Sequence, residues 1–299
     1  MDMRTESGKD WIAYNGDCVE ICKQLPNDSI DLTISSFPFA NLYTYSDDVR
    51  DFSNVKNLDE YFKQLDYLIP ELYRITKPGR LICLHLKQIP TFKGRDGAMG
   101  LIDFRGMMIK AFQKYGWIYH GEITVWTDPQ IEATRTKSAS ILWNSYKKFA
   151  EITRTGMADY VVIMQKVERE DEWVHITHRN EDEEFHHWTE LASPCWMDIS
   201  RTNVLNTKLA KEEKDEKHMT PLQLDLIREL VHWYSNENEI IFDPFAGVFS
   251  VGYQSLQMNR KTIMCELKES YFNTGCKNLE SIENDSQTNI FDYLDKGEE

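Results

Sequence analysis

Between Glu239 and Glu266 the chain sets down a strand, a glycine turn, a helix and a second strand in close succession. The apolar run Glu239–Phe242 stops at Asp243-Pro244, and Phe245-Ala246-Gly247 follows. Val248–Met258 reads as a helix, and Lys261–Cys265 is an apolar strand that ends at Glu266. Two strands joined by a helical crossover belong side by side in a parallel sheet, which commits the chain to an α/β fold. Gly247 allows a tight turn into the helix, whose first backbone N–H groups are free and suit a carboxylate. Glu266 lies 23 residues after Asp243, near the spacing of about 20 residues expected of a nucleotide-binding strand–helix–strand unit. An acid at that second strand end can accept hydrogen bonds from both ribose hydroxyls of a nucleoside.

The same alternation fills the rest of the chain. Ile12–Asn15 is a strand ending at Gly16-Asp17, and Val19–Leu25 is a helix. Ile30–Ser35 is a strand that runs into Ser36-Phe37-Pro38-Phe39. An amphipathic helix capped by Asn57 or Asp59 runs to Ile75 and stops at Lys77-Pro78-Gly79, and Arg80–Leu86 is an apolar strand. Phe104–Tyr115 is a helix, Trp117–Trp126 and Tyr160–Val167 are strands, Pro221–Trp233 is helical, and Glu269–Ile282 is the last helix. Periodicity weakens from Thr127 to Ala158, where Arg135, Lys137, Lys147, Lys148 and Arg154 interleave with Trp143, Tyr146 and Phe149. Ligands of open parallel sheets lie beyond the carboxyl ends of the strands. Ser36-Phe37-Pro38-Phe39 supplies a third such end, with a hydroxyl, a stiff turn and a flat aromatic face that can stack on a base.

Composition matters at three points. The net charge is −15, which is awkward for a chain that would meet phosphates. From His85 to Tyr160, however, eleven Lys/Arg face seven Asp/Glu, a local +4 against −19 for the remainder. That distribution fits contact with a polyanion through one face. The six cysteines form no CxxC pair and have no histidine cluster beside them, so neither a zinc site nor any other metal is expected. With no apolar run long enough to span a bilayer and a polar start, MDMRTESGKD, a membrane location is not expected and a reducing cytoplasm is.

Taken together, these motifs resemble the amino-methyltransferases of DNA. In that family the catalytic motif is Ser, Asp or Asn followed by Pro-Pro and an aromatic, and the cofactor motif is Asp-Pro-Phe-x-Gly. Here Ser36–Phe39 comes first and Asp243–Gly247 last, the circular order called the β class. GDCVEICKQLPNDSIDLTISSFPFA resembles the family's entry segment, and EKHMTPLQLDLIRELVHWYSNENEIIFDPFAG its approach to the cofactor strand. FANLYTYSDDVRD, WTDPQIEATRTK and SPCWMDI resemble a phage-type branch. Two departures stand out. Phe37 occupies the place of the usual first proline, and Phe249 that of a second glycine in the cofactor turn.

The resemblance implies a circularly permuted Rossmann-like fold with a mixed, mostly parallel seven-stranded sheet and a small target-recognition region. It divides the chain into a catalytic half, 11–126, a target-recognition segment, 127–158, a last strand and variable loop, 159–217, a cofactor half, 218–283, and a flexible acidic tail, 284–299. The implied cofactor is S-adenosylmethionine. Asp17 would contact its adenine and Glu266 its ribose; Asp243, Phe245 and Gly247 would shape its methionine end, with His218 and Thr220 bordering the pocket. Ser36, the Phe37 carbonyl, Pro38 and Phe39 would hold a flipped base, and Arg135 and Lys137 would touch double-stranded DNA. Ser at the first motif position favours cytosine N4 over adenine N6. A homodimer is expected, in a bacterial cell or a phage-infected host. Pro194-Cys195 imitates the nucleophile pair of cytosine C5 enzymes, but it follows a polar loop, so Cys195 is not expected to react. Two other readings remain: a methyltransferase of RNA or a small molecule, and a silent DNA-binding homologue.

Overall fold

The structure is a computed structural model, and it describes residues 3–39, 51–136, 141–177, 185–205 and 221–295. Among them, β1 (Arg4–Ser7) and β2 (Trp11–Asn15) precede α1 (Cys18–Gln24), β3 (Ile30–Ser36), α2 (Leu58–Ile75) and β4 (Thr76–Leu86). A small hairpin of β5 (Ile89–Thr91) and β6 (Gly100–Ile102) flanks α3 (Lys93–Asp96). Then come α4 (Phe104–Gln113), β7 (Ile118–Val125), α5 (Pro129–Thr136), α6 (Trp143–Lys148) and β8 (Asp159–Gln165). The chain continues through α7 (Phe185–Leu191), β9 (Cys195–Trp196), α8 (Leu224–Tyr234), β10 (Ile240–Asp243), α9 (Ser250–Gln257), β11 (Lys261–Glu266) and α10 (Glu269–Asp295).

One sheet carries the order β1-β2-β11-β10-β3-β4-β8-β7-β9. Its centre, β2 through β4, is parallel, while β8 runs antiparallel to both β4 and β7. Seven strands, β2 to β7 in this order, are the expected sheet. The two additions are edge strands: β1 pairs antiparallel with β2, and the two-residue β9 pairs with β7. β1 is exposed at all four positions, so it has no apolar alternation by which a sequence could announce it. The circular order is visible in the topology. β10 and β11, nearly the last elements of the chain, insert between β2 and β3, which are nearly the first.

Strand alternation sends side chains to two cores. Ile82, Leu84, Leu86, Val162 and Met164 face α1, α2 and α4, where they meet Ile21, Leu65, Leu72, Phe104 and Phe112. Leu32, Ile34, Leu81, Cys83, Val161 and Ile163 face α8, α9 and α10, against Leu226, Leu230, Val251, Phe272 and Leu279. Helices thus cover both faces, as mostly parallel sheets require.

Some boundaries differ from those expected. Asn57 caps α2, its side chain accepting from the Glu60 N–H at 2.9 Å. The helix still ends at Ile75, but Lys77-Pro78-Gly79 is not a loop: it lies within β4, where the Gly79 N–H donates to the Lys166 carbonyl at 2.7 Å. Gly79 has φ 76°, a left-handed conformation suited to glycine. The last helix continues past Ile282 to Asp295, through a segment with neither Gly nor Pro to stop it. The weakly periodic stretch after Thr127 contains the short helices α5 and α6. Its two ends are joined where the Thr127 hydroxyl donates to the Met157 carbonyl. No helix among the described residues is long and apolar enough to cross a membrane.

Candidate active site

β10 and β3 are neighbours, so their carboxyl ends emerge together. This junction is the point where strand order reverses: β11 and β2 extend from one side, β4 and β8 from the other. The Ser35 hydroxyl donates to Asp243 Oδ1 at 2.6 Å, tying the two strand ends directly. Between them opens a cavity lined by Gly16, Asp17, Ser36, Phe37, Pro38, Phe39, Asp243, Phe245, Gly247 and Glu266. The three strand ends singled out from the sequence therefore surround a single space, although the residues are up to 250 positions apart.

The cofactor-type turn is held by its own backbone. Gly247 has φ 56°, and its N–H donates to Glu266 Oε2 at 2.8 Å. The Lys268 N–H donates to Glu266 Oε1, also at 2.8 Å. Each carboxylate oxygen keeps a lone pair for a further donor. Burial pushes Glu266 up to about 7, against the two N–H groups that favour its charge. Asp243 is likewise pushed up to about 7 by burial, which outweighs the Ser35 hydroxyl and the Phe245 N–H. The Gly16 N–H and the Asn15 side chain donate to the Glu266 carbonyl at 3.1 and 2.8 Å, fixing the first strand end to the last. Asp17 caps α1, its Oδ1 accepting from the Val19 N–H at 2.7 Å.

At the catalytic-type corner, Phe37 is fully buried and meets Phe245 edge-on, with ring centroids 5.1 Å apart. Phe39 is half-buried, borders the cavity and packs beside His85 and Phe104. Ser36 Oγ lies 3.0 Å from His85 Nδ1. Phe249 does not line the cavity. It caps α9 in a left-handed conformation, φ 66° and ψ 38°, and turns its ring into the core against Phe272.

The sequence reading missed several residues on this cavity: Cys18, Asp51, Phe52, Leu222, Val248, Ser250 and Tyr271. Ser250 sits in the first turn of α9, and its buried hydroxyl has no partner among the described residues. Its position after the glycine turn was the available signal. Of the expected residues, His218, Thr220 and Lys137 lie outside the described residues, and so do positions 40–50. Arg135 falls in α5. Cys195 belongs to β9 at the sheet's far edge and is absent from the lining. Lys147 and Lys148 are exposed beside Trp143, Tyr146 and Phe149, whereas Arg154 is paired with the buried Glu132 at 3.5 Å.

Comparison with known proteins agrees with this architecture. The DNA methylase family model for N6 and N4 enzymes matches residues 30–277. Among curated relatives, the type II methyltransferase M.BglII of Bacillus subtilis is 25% identical over 263 residues, covering 86% of this chain and 66% of that protein. The type II beta methyltransferase M.BslI of Bacillus sp. (strain NEB-606) is 23% identical over 86% of this chain, which spans 26% of its length. Among solved structures, the cytosine-N4-specific PvuII DNA methyltransferase superposes with a TM-score of 0.65 at 16% identity, covering 93% of this chain and 92% of that one. A putative DNA modification methylase of Thermus thermophilus, complexed with S-adenosyl-L-methionine, gives 0.64 at 16% identity, with 90% and 92% covered. With its family model spanning most of the sequence, this chain belongs to the N6/N4 DNA methylase family.

Proposed function

We propose that this chain transfers a methyl group from S-adenosylmethionine to the exocyclic amino group of a flipped base in DNA, with cytosine N4 as the acceptor. The observation that carries the reading is the junction of Ser36 and Asp243 around a single cavity, with the Ser35–Asp243 hydrogen bond holding it together. The lining suits the cofactor. Glu266 retains lone pairs for ribose hydroxyls, and Leu267, Val248 and Tyr271 offer apolar surface to a purine. The unpartnered Ser250 hydroxyl and the start of α9 suit an amino-acid carboxylate. When bound, the cofactor supplies an activated methyl group.

The remaining work falls to the protein. An exocyclic amine shares its lone pair with the ring and is a poor nucleophile. Ser36 Oγ and the Phe37 carbonyl accept hydrogen bonds from its two N–H groups and draw the nitrogen toward tetrahedral geometry. Acceptors aimed at charge that develops during transfer stabilise the transition state. Flipping the base costs a few kcal/mol, and stacking on Phe39 returns about 1–3 kcal/mol. A first-position Ser supports cytosine. Arg135 and Lys137, with the exposed Lys147 and Lys148, are assigned to the DNA backbone. Phe249, fully buried, is not among the residues that line the cavity, so its bulk does not fill the space the cofactor needs.

The test is mass spectrometry of nucleosides from the DNA of cells expressing the protein. N4-methylcytosine is expected, and Ser36→Ala should lower it by at least about 100-fold. N6-methyladenine would replace the acceptor but keep the reaction. Unmodified DNA, with methyl groups appearing only in RNA, would overturn the proposal.

A further inference from the structure

Beside Ser36, three side chains lie in a row on adjacent strands. Ser36 and His85 are register partners on β3 and β4. On the next strand Val161 pairs with His85 and Tyr160 with Leu86, which brings Asp159, at the start of β8, opposite the end of β4. The period of two along each strand then puts Ser36, His85 and Asp159 on one face, with Lys87 just past the end of β4. Ser36 Oγ is 3.0 Å from His85 Nδ1. His85 Nε2 is 3.6 Å from Asp159 Oδ2, a charge contact slightly longer than a hydrogen bond. Lys87 Nζ closes the row at 2.6 Å from Asp159 Oδ1. His85 and Asp159 are buried, 8% and 4% exposed.

The environment selects the tautomer. Nε2 has no hydrogen-bond partner among the described residues but faces a carboxylate. A lone pair there would be repelled, and an N–H would be attracted. Asp159 stays ionised: burial opposes its charge, but His85 and Lys87 outweigh that and hold it well below the usual carboxylate range. With its proton on Nε2, the imidazole presents a bare Nδ1 to Ser36. The Ser36 hydroxyl therefore donates to His85, and both Oγ lone pairs are left for the cavity.

The geometry points to His85, oriented by Asp159 and Lys87, as the residue that positions Ser36 as an acceptor and receives the proton displaced from the target amine. It rests on the proposed reading of Ser36. In methyl transfer the amine nitrogen forms a bond to carbon, and the carbon–sulfur bond breaks with its electron pair going to sulfur. The nitrogen then carries one surplus proton. That proton passes to Ser36 Oγ while the Oγ–H passes to His85 Nδ1, giving an imidazolium beside the Asp159 carboxylate. Solvent takes the proton afterwards, and the base is left neutral. Ser36 alone offers no such outlet, because a hydroxyl that gains a proton must shed one.

Two measurements test it. In the intact, unliganded chain, 15N NMR of His85 should show a protonated Nε2 and a bare Nδ1, and Asp159→Asn should erode that preference. A proton found on Nδ1 would overturn the assignment, and this arm needs neither DNA nor cofactor. In turnover, His85→Asn keeps an acceptor near the Nδ1 position but cannot carry a proton, whereas His85→Leu removes both. Methyl transfer should fall about 10-fold in the first and at least about 100-fold in the second. S-adenosylmethionine affinity by calorimetry should stay within about two-fold in both. Equal turnover in all three proteins, or a matching loss of cofactor affinity, would sink the relay. A wild type that methylates no DNA but shows the expected tautomer would instead count against the reading of the reaction.

Discussion

Phe249 shows how a residue that breaks a motif can be accommodated a long way off in sequence. Left-handed backbone costs a non-glycine residue about 1–2 kcal/mol, and Phe249 adopts it at φ 66°. Its ring is fully buried against Phe272. Gly275, within α10, makes the room: a Cβ there would lie 2.4 Å from the Phe249 ring. A bulky residue has replaced an expected glycine, and a glycine stands where a helix would ordinarily hold a side chain. The magnitudes decide what reversal does. Phe249→Gly relieves the backbone strain but forfeits a buried aromatic worth about 3–5 kcal/mol. The net is a loss of roughly 2–3 kcal/mol, read as a melting temperature lower by roughly 5 °C. Cofactor affinity should hardly change, since the ring lies outside the cavity lining. Stabilisation by Phe249→Gly, or a collapse of cofactor binding without a fall in melting temperature, would refute this account. The sequence exposed the departure but not the compensation, because only the packing of α9 on α10 brings positions 249 and 275 together.

Among the elements, the strand ends were the legible part. Each is an apolar run closed by turn or polar residues, and the three that matter, Ser36–Phe39, Asp243–Gly247 and Glu266, were readable one at a time. The elements that went unread, β1, β9 and the β5–β6 hairpin, are short or exposed and carry no period. The His85–Asp159 pair was illegible for another reason. His85 looks like a single polar gap in LICLHL, and only the register of β3, β4 and β8 gives it neighbours. Element ends also set the electrostatics. Asp243 and Glu266, closing β10 and β11, are both pushed up to about 7 by burial. A carboxyl raised on folding holds its proton more tightly in the folded chain. It therefore adds stability that is complete below the unfolded value near 4 and is lost as pH rises through about 7. Asp28 and Asp159 shift downward, so their contributions are already constant above about pH 5. The unliganded chain should thus lose melting temperature from pH 5.5 to 7.5 and level off above pH 8. A cationic cofactor favours the ionised carboxylates, so its affinity should rise across the same interval. Calorimetry showing flat affinity over that range would remove Glu266 and Asp243 from the linkage.

For the whole molecule, chain order and sheet order are decoupled, and the fold depends on that. β10 and β11 stand between β2 and β3, so the chain before residue 218 has no continuous sheet of its own. Without them β2 keeps only β1, and β3 keeps only β4. The same cut strips α8, α9 and α10 from one face and uncovers Leu32, Ile34, Leu81 and Cys83, all 5% exposed or less in the intact chain. Each buried side chain of that size contributes about 1.5–3 kcal/mol, and a domain's whole margin is about 5–15 kcal/mol. The loss from these four alone is therefore comparable to a domain's whole margin. A fragment of residues 1–217 should aggregate or melt without cooperativity, whereas co-expression with 218–299 should give a complex that copurifies and melts in one transition. The cavity draws Ser36 from one piece and Asp243 and Glu266 from the other, so cofactor binding should appear only in that complex. A cooperative melt of 1–217 alone would mean that this piece is a domain in its own right, and that the inserted strands complete the site without holding the sheet together.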